Sequence, residues 1–193
     1  MWRGLIMADG DTDVAVPRSS ESLVELLGQL PALTCSLKLT IPKWTAFTID
    51  HLNLDRRLQH LTLHHDNNHG GFLAALAPLL PPSLVSLDLS KFDQDELGRD
   101  LFPHLPLTLE SLTLQACALT TEHVAPLTTR WPPALIHLDL GDNQLSTVPT
   151  PLPFKLKYLG LKGLTMLQGT RVDDHVVWVC ALPRSLRTLE NAK

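Results

Sequence analysis

A leucine-proline phrase that closes on a second leucine recurs along this sequence, and leucines two residues apart follow each copy. The copies are Leu80–Leu84, Leu105–Leu109, Trp131–Leu135 (with tryptophan in place of the first leucine), Leu152–Leu156 and Leu182–Leu186. Their prolines lie 25, 26, 21 and 30 residues apart. Self-similarity at a period of roughly 20–50 residues is typical of solenoids, in which each copy is one structural unit. The sequence therefore predicts a stack of similar units.

Each unit is predicted to carry one short β-strand directly after the proline phrase. Proline lacks a backbone N–H and disfavours helical geometry in the residue before it, so it ends the preceding element. The leucine-x-leucine pair has period two, which puts both leucines on one face of a strand. The predicted strands are Ser36–Thr40, His60–His64, Ser86–Ser90, Ser111–Gln115, His137–Gly141 and Tyr158–Lys162. Because every unit runs the same way, we expect parallel strands and a right-handed solenoid. The predicted buried ladder consists of Leu87, Leu112, Leu138 and Leu159.

The returns between strands have mixed patterns. Apolar spacing predicts one helix over Phe72–Ala77 and another over Glu122–Thr129, with one of the two preceding threonines as its N-cap. A third helix is predicted to begin at one of the aspartates at positions 173 and 174. The return at residues 144–151 contains two prolines and is too short for a helix, so it predicts an extended or 3₁₀ path.

The predicted organisation has three parts. Residues 1–19 are predicted to form a loose leader, because residues 9–20 are polar and lack periodicity. Ser22 and Glu25 have capping-box spacing, so residues 20–33 are predicted to form an N-terminal helix. Residues 34–193 hold about six to seven repeat units, the last of them incomplete. Because repeat arrays need capped ends and no polar helix follows Leu189, we expect a truncated chain, a divergent member or an end covered by a partner.

Two segments carry a resemblance to a known family. Leu109–Leu119 (LESLTLQACAL) matches the leucine-rich-repeat consensus L-x-x-L-x-L-x-x-N/C-x-L at every fixed position, and Leu135–Leu145 (LIHLDLGDNQL) matches it as well. With a period near 25 and helical returns, the chain resembles the ribonuclease-inhibitor-like and cysteine-containing subclasses of that family. The resemblance implies an α/β solenoid with its strands on the concave side. It also implies that Cys117 and Asn143 face inward and satisfy backbone groups in the loop after the strand.

Composition and charge argue against several classes of protein. Leucine supplies 42 of the 193 residues, yet no apolar run approaches the roughly 18 residues needed to cross a bilayer. A net charge of −4 argues against a chain that binds nucleic acid by neutralising phosphates. The 3 cysteines are widely spaced and odd in number, which fits neither a disulfide scaffold nor a zinc finger. We expect an intracellular, cytoplasmic protein without a nucleic-acid, membrane or small-molecule partner.

The densest polar cluster, His64–His69 (HHDNNH), raises the question of a metal site. His60, His64 and Asp66 could share one face, but the adjacent His64 and His65 point apart if the strand continues through them. A solvated loop is the favoured interpretation, and no metal is expected.

The sequence also offers little support for a catalytic site. Cys117 already has an adequate structural role in the repeat, and a catalytic thiol needs a lowered pKa and an oriented base. Leucine-rich GTPase-activating proteins use an arginine from a repeat loop, but Arg99 and Arg130 fall on predicted convex returns. The glycines match no phosphate-binding fingerprint. We therefore expect no catalytic residue and no cofactor.

The favoured function is a non-enzymatic module that binds a protein partner on the concave face. The alternative is the recognition part of a larger enzyme, such as a ubiquitin ligase or its adaptor, with catalysis on another domain. Alternation along the strands predicts the outward residues. The candidate binding residues are His60, Thr62, His64, Asp88, Thr113, Gln115, His137, Asp139, Tyr158 and Lys162. The row of Asp88, Thr113 and Asp139 indicates a partner segment with Lys or Arg, and Tyr158 is the expected aromatic anchor.

Overall fold

The computed structural model describes residues 5–6, 11–15, 35–41, 57–65, 72–92, 97–163 and 182–191. Its strands form one sheet in sequence order, with β1 antiparallel to β2 and every later neighbour pair parallel. The strands are β1 (Leu5–Ile6), β2 (Asp11–Ala15), β3 (Ser36–Ile41), β4 (His60–His65), β5 (Ser86–Asp88), β6 (Ser111–Thr113), β7 (His137–Asp139), β8 (Tyr158–Leu161) and β9 (Thr188–Asn191). The predicted α/β leucine-rich-repeat solenoid of parallel strands is confirmed.

The register of the sheet stacks the leucines in one ladder. Leu87 pairs with Leu112, Leu112 with Leu138, and Leu138 with Leu159, as predicted. The ladder continues to Leu37 and Leu61 on one side and to Leu189 on the other. The four predicted leucines are at most 1% exposed. Burial of this continuous aliphatic stripe, worth about 25 cal/mol per Å² of apolar surface, holds successive units together.

The proline phrase forms the turn that starts each strand. In every copy the closing leucine donates its backbone N–H to the proline carbonyl three residues earlier, at 3.0–3.1 Å. The hydroxyl side chains in the phrase link successive turns: Thr108 Oγ1 donates to the Leu84 carbonyl at 2.9 Å, and Ser185 Oγ to the Leu156 carbonyl at 2.7 Å. In three of the five copies a small hydroxyl residue precedes the closing leucine, and there it donates to a carbonyl of the preceding unit.

Strands β5 to β8 end earlier than predicted. The strands end at Asp88, Thr113, Asp139 and Leu161. Lys91, Ala116 and Asp142 then take left-handed backbone conformations, with φ of 68°, 53° and 55°. Such residues break the alternation of a strand, so the predicted strand residues Gln115 and Lys162 lie in turns after the strand ends. Local sequence did not reveal these turns, because none of the three residues is glycine.

The returns agree with the predicted mixture. Helix α1 (Phe72–Leu76) continues into a 3₁₀ turn, and α2 (Thr121–Thr128) has Thr120 as its N-cap. The Thr120 backbone N–H donates to Nδ1 of His123 at 3.2 Å, which satisfies one of the donors left open at a helix start. The return before β6 contains a π-helical turn, Leu97–Leu101. Residues 144–151 form no helix.

The segment predicted as a loose leader contributes strands β1 and β2. Strand β2 pairs in parallel with β3, with Asp11 opposite Ser36 and Ala15 opposite Thr40. The edge of β3 that faces away from β4 offers unpaired backbone groups. Strand β2 can pair with these groups although its own sequence shows little apolar periodicity. The predicted helices at residues 20–33 and after position 173 lie outside the described residues. None of the helices in the described part of the chain has both the length and the apolar character needed to cross a bilayer.

Candidate functional site

The side of the sheet opposite the leucine ladder, called the outer sheet face below, carries two cross-strand rows. The first row consists of Ser36, His60, Ser86, Ser111, His137, Tyr158 and Thr188. The second consists of Lys38, Thr62, Asp88, Thr113, Asp139, Gly160 and Glu190. Asp88, Thr113 and Asp139 are consecutive neighbours in that second row. Parallel strands lie about 4.8 Å apart, so these three residues span about 10 Å.

An aromatic pair lies at the C-terminal end of the first row. The rings of His137 and Tyr158 stack with 4.1 Å between their centroids and an angle of 1° between their planes. The Tyr158 hydroxyl donates to Oε2 of Glu190 at 2.8 Å. Three neighbouring strands, β7 to β9, thus each contribute one side chain to a connected group.

Electrostatics define the protonation states of this group. Burial, followed by the hydrogen bond to Glu190, raises the pKa of Tyr158 to about 12. The phenol therefore remains a proton donor at neutral pH. Burial lowers the pKa of His137 below its ordinary value, against the opposing charges of Asp139 and Glu190. The lowered pKa favours the neutral form of the imidazole.

Asp139 lies over the next strand because Gly160 has no side chain. A Cβ on Gly160 would collide with the Asp139 carboxylate. Oδ1 of Asp139 also accepts the Gly141 backbone N–H at 2.9 Å, which holds the carboxylate at the end of β7. Since Gly160 pairs with Glu190, the two carboxylates flank a residue without a side chain. The acidic-aromatic site, as we call this group below, consists of His137, Asp139, Tyr158, Gly160 and Glu190.

Asp88 has the same relation to its own turn as Asp139. Its Oδ1 accepts the backbone N–H of Ser90 at 3.0 Å and the Ser90 hydroxyl at 2.7 Å. Both predicted binding carboxylates therefore stabilise the turn after their strand. Replacing either by alanine would remove a turn contact as well as a charge.

Cys117 and Asn143 lie inside consecutive loops beyond β6 and β7. Asn143 is 2% exposed, and its Oδ1 accepts the backbone N–H groups of Cys117 and Leu119, each at 3.0 Å. Its Nδ2 donates to the carbonyls of Leu114 and Leu140 at 2.7 and 2.9 Å. The Asn143 side chain therefore satisfies backbone groups of its own loop and of the loop before it.

The Cys117 side chain likewise contacts the backbone of the unit before it. The Cys117 Sγ lies 3.1 Å from the Leu89 carbonyl, and burial raises the pKa of the thiol to about 12. A protonated, buried thiol donates a weak hydrogen bond and is a poor nucleophile.

The other predicted residues are distributed along the sheet. His60, Thr62 and His64 lie on β4, three strands or about 14 Å from His137. Gln115 is half-buried in the turn after β6, and Lys162 is exposed in the turn after β8. Among the described residues, no three His, Cys, Asp or Glu side chains converge on a metal-sized site.

Two members of the acidic-aromatic site, Gly160 and Glu190, were not among the predicted binding residues. The signal for Glu190 was present in Leu186-Arg187-Thr188-Leu189-Glu190, which places it in the same repeat position as Asp88 and Asp139.

The aligned leucines, the single strand per repeat and the Asn/Cys loop contacts define a leucine-rich-repeat solenoid. No protein-family model matches the chain, and no curated protein matches it. Among solved structures, InlP of Listeria monocytogenes is similar over 79% of this chain, with 16% sequence identity and a TM-score of 0.48. The matched region corresponds to 43% of the InlP chain, so this chain spans less than half of that protein's length.

Proposed function

We propose that this chain is a non-enzymatic interaction module that binds a protein segment on the outer sheet face, which the repeat resemblance implies to be concave. The observation that carries the proposal is the acidic-aromatic site. Two stacked rings lie beside two carboxylates there, on strands in fixed register. We infer that the bound segment presents a Lys or Arg side chain to this site.

The chemistry of the site matches a cation with an extended apolar stem. Asp139 uses Oδ1 for its turn and Glu190 uses Oε2 for Tyr158, so each carboxylate has a second oxygen for a ligand. Hydrogen bonds between a cationic donor and a carboxylate are about twice as strong as neutral ones. The flat faces of the stacked rings offer a cation–π contact worth about 0.5–2 kcal/mol.

The arrangement also favours an extended partner over a small molecule. The outward side chains form a broad surface that continues from β3 to β9, and the backbone beneath them is held by the parallel ladder. Solenoids generally use such surfaces to contact partners along several repeats at once. The row from Asp88 to Asp139 extends the acidic character of the site toward β5.

Selection of peptides from a random displayed library on the immobilised chain tests this proposal. The expected result is enrichment of peptides with Lys or Arg, and dissociation constants that Tyr158→Ala and Asp139→Asn each weaken about tenfold. Asp139→Asn keeps an acceptor oxygen for the turn, so it changes charge with little effect on stability. Glu122→Lys on the exposed side of α2 is the control and should leave binding unchanged. Loss of binding in the control, with none in the site variants, would place the binding surface elsewhere.

A further inference from the structure

The rim of the sheet at which the strands begin, called the strand-start rim, presents apolar tips. Leu107 and Phe154 occupy the same position in their turns, directly after the proline, and are 73% and 66% exposed. They are the large hydrophobic side chains most exposed among the described residues. The corresponding position holds proline at 82 and 133, both exposed. Leu107 and Phe154 are two turns apart, or about 10 Å, and lie on the same rim.

Basic residues lie in the turn of Phe154 and in the next turn of this rim. Lys155, Lys157, Arg184 and Arg187 are all exposed and belong to the two turns that precede β8 and β9. The Lys155 Nζ lies 5.6 Å from the centre of the Phe154 ring. Lys157 and Arg187 are direct neighbours, since the Arg187 backbone N–H donates to the Lys157 carbonyl at 2.8 Å. Four positive charges thus cluster here in a chain whose net charge is −4.

Few anionic groups balance this cluster within the described part of the chain. Glu110 occupies the same repeat position as Lys157 but lies two repeats away from it. Ile136 holds that position in the repeat between them. The carboxylates of the acidic-aromatic site lie further along the strands, on the outer sheet face. Positive and negative charge are therefore separated along the strand direction.

The turn that carries Phe154 is held by hydrogen bonds of its own. The Leu156 N–H donates to the Pro153 carbonyl at 3.1 Å, and the Phe154 carbonyl accepts the Ser185 hydroxyl at 2.9 Å. These two contacts lower the cost of moving the Phe154 tip into an apolar environment, where unpaired donors and acceptors are costly.

We propose that the strand-start rim, through Leu107, Phe154 and the four basic residues around Phe154, docks onto an anionic lipid surface. Aromatic and aliphatic tips that enter the interfacial layer, flanked by Lys and Arg that contact acidic headgroups, are the physical requirements for such binding. The tips protrude from turns and do not line a groove, so a soft planar surface accommodates both at once. An acidic protein segment would need its own pockets for these two side chains. This surface is distinct from the outer sheet face, and the proposal does not depend on the proposed function. It departs from the expectation, drawn from composition, that the protein has no membrane partner.

Co-sedimentation of the full chain with vesicles tests the proposal. The vesicles contain phosphatidylcholine alone, or phosphatidylcholine with about 30 mol% phosphatidylserine. We expect binding to the anionic vesicles only, weakened about tenfold when salt is raised from about 0.1 to 0.5 M. Phe154→Ser and Lys157→Glu should each weaken binding about fivefold or more. Lys162→Glu makes the same charge change at the other end of the strands and should have little effect. A thermal melt of each variant verifies that it remains folded.

Three outcomes would overturn the assignment. The first is no binding to anionic vesicles at low salt. The second is an equal loss for Lys157→Glu and Lys162→Glu, which would indicate attraction by net charge alone. The third is full retention of vesicle binding by Phe154→Ser, together with binding of soluble polyglutamate. That result would assign the basic residues to an acidic polypeptide instead.

Discussion

The imidazole of His137 lies parallel to the phenol ring of Tyr158, with 4.1 Å between the ring centres. The two residues are opposite each other on adjacent strands, so the contact follows from the register of β7 and β8. It joins a neutral imidazole to a phenol that donates to Glu190. The stacked pair therefore links strands β7, β8 and β9 on this part of the outer sheet face.

The lowered pKa of His137 predicts a pH dependence of stability. A histidine whose pKa falls on folding is harder to protonate in the folded state than in the unfolded chain. Its contribution is therefore present above the ordinary histidine value near 6.5, and is lost as the pH falls through the lowered pKa. Urea titrations between about pH 4 and 8 should show this decline, and His137→Gln should flatten it. An NMR titration that finds the His137 pKa at or above its ordinary value would contradict the prediction.

The leucine ladder predicts a large cost for a cavity at its centre. Leu112 is 0% exposed and pairs with Leu87 and Leu138. Leu112→Ala should lower the free energy of unfolding by about 2–5 kcal/mol, because the rigid stack cannot close around the missing atoms. Leu107→Ala is the matched control: the side chain is 73% exposed, and its removal should change stability by about 0.5 kcal/mol or less. Equal effects in a chemical denaturation experiment would refute the observed register.

Asn143 is predicted to be the most sensitive polar residue in the loops. Its replacement by alanine leaves the buried N–H groups of Cys117 and Leu119 without an acceptor. Each such group costs about 1–3 kcal/mol, so Asn143→Ala should destabilise the chain by at least about 2 kcal/mol. In the same variant, amide hydrogen exchange at Cys117 and Leu119 should become faster. The neighbouring Gln144 is exposed, and Gln144→Ala should leave both exchange rates unchanged.

Gly160 should be intolerant of a side chain only while Asp139 is present. Gly160→Ala brings a Cβ into collision with the Asp139 carboxylate, so we expect a loss of stability of about 1–3 kcal/mol. In an Asp139→Ala background the same change should cost much less, giving a coupling energy measurable by a double-mutant cycle. Gly98→Ala is the control, because its Cβ would lie 3.7 Å from the backbone oxygen of His123, which is an ordinary contact. Additive effects of the two changes would mean that Asp139 does not lie over Gly160.

Short-range patterns were sufficient to predict the repeat and its core. Period-two leucines specify which face of a strand is buried, and a proline before them specifies where the strand begins, so Leu87, Leu112, Leu138 and Leu159 could be aligned in advance. The ends of the strands could not be predicted in this way. They depend on left-handed backbone conformations at Lys91 and Ala116, which residues of these types rarely adopt and which the local sequence does not mark.

Longer-range contacts required the folded chain. Strand β2 forms because the edge of β3 offers hydrogen-bonding groups, a property of the sheet and not of residues 11–15 themselves. The Tyr158–Glu190 hydrogen bond joins residues 32 positions apart, and the position of Asp139 depends on an absent side chain one strand away. Periodicity in the chain dictates which residues point outward. Which of them touch depends on side-chain rotamers and cross-strand neighbours, and these exist only once the units have stacked.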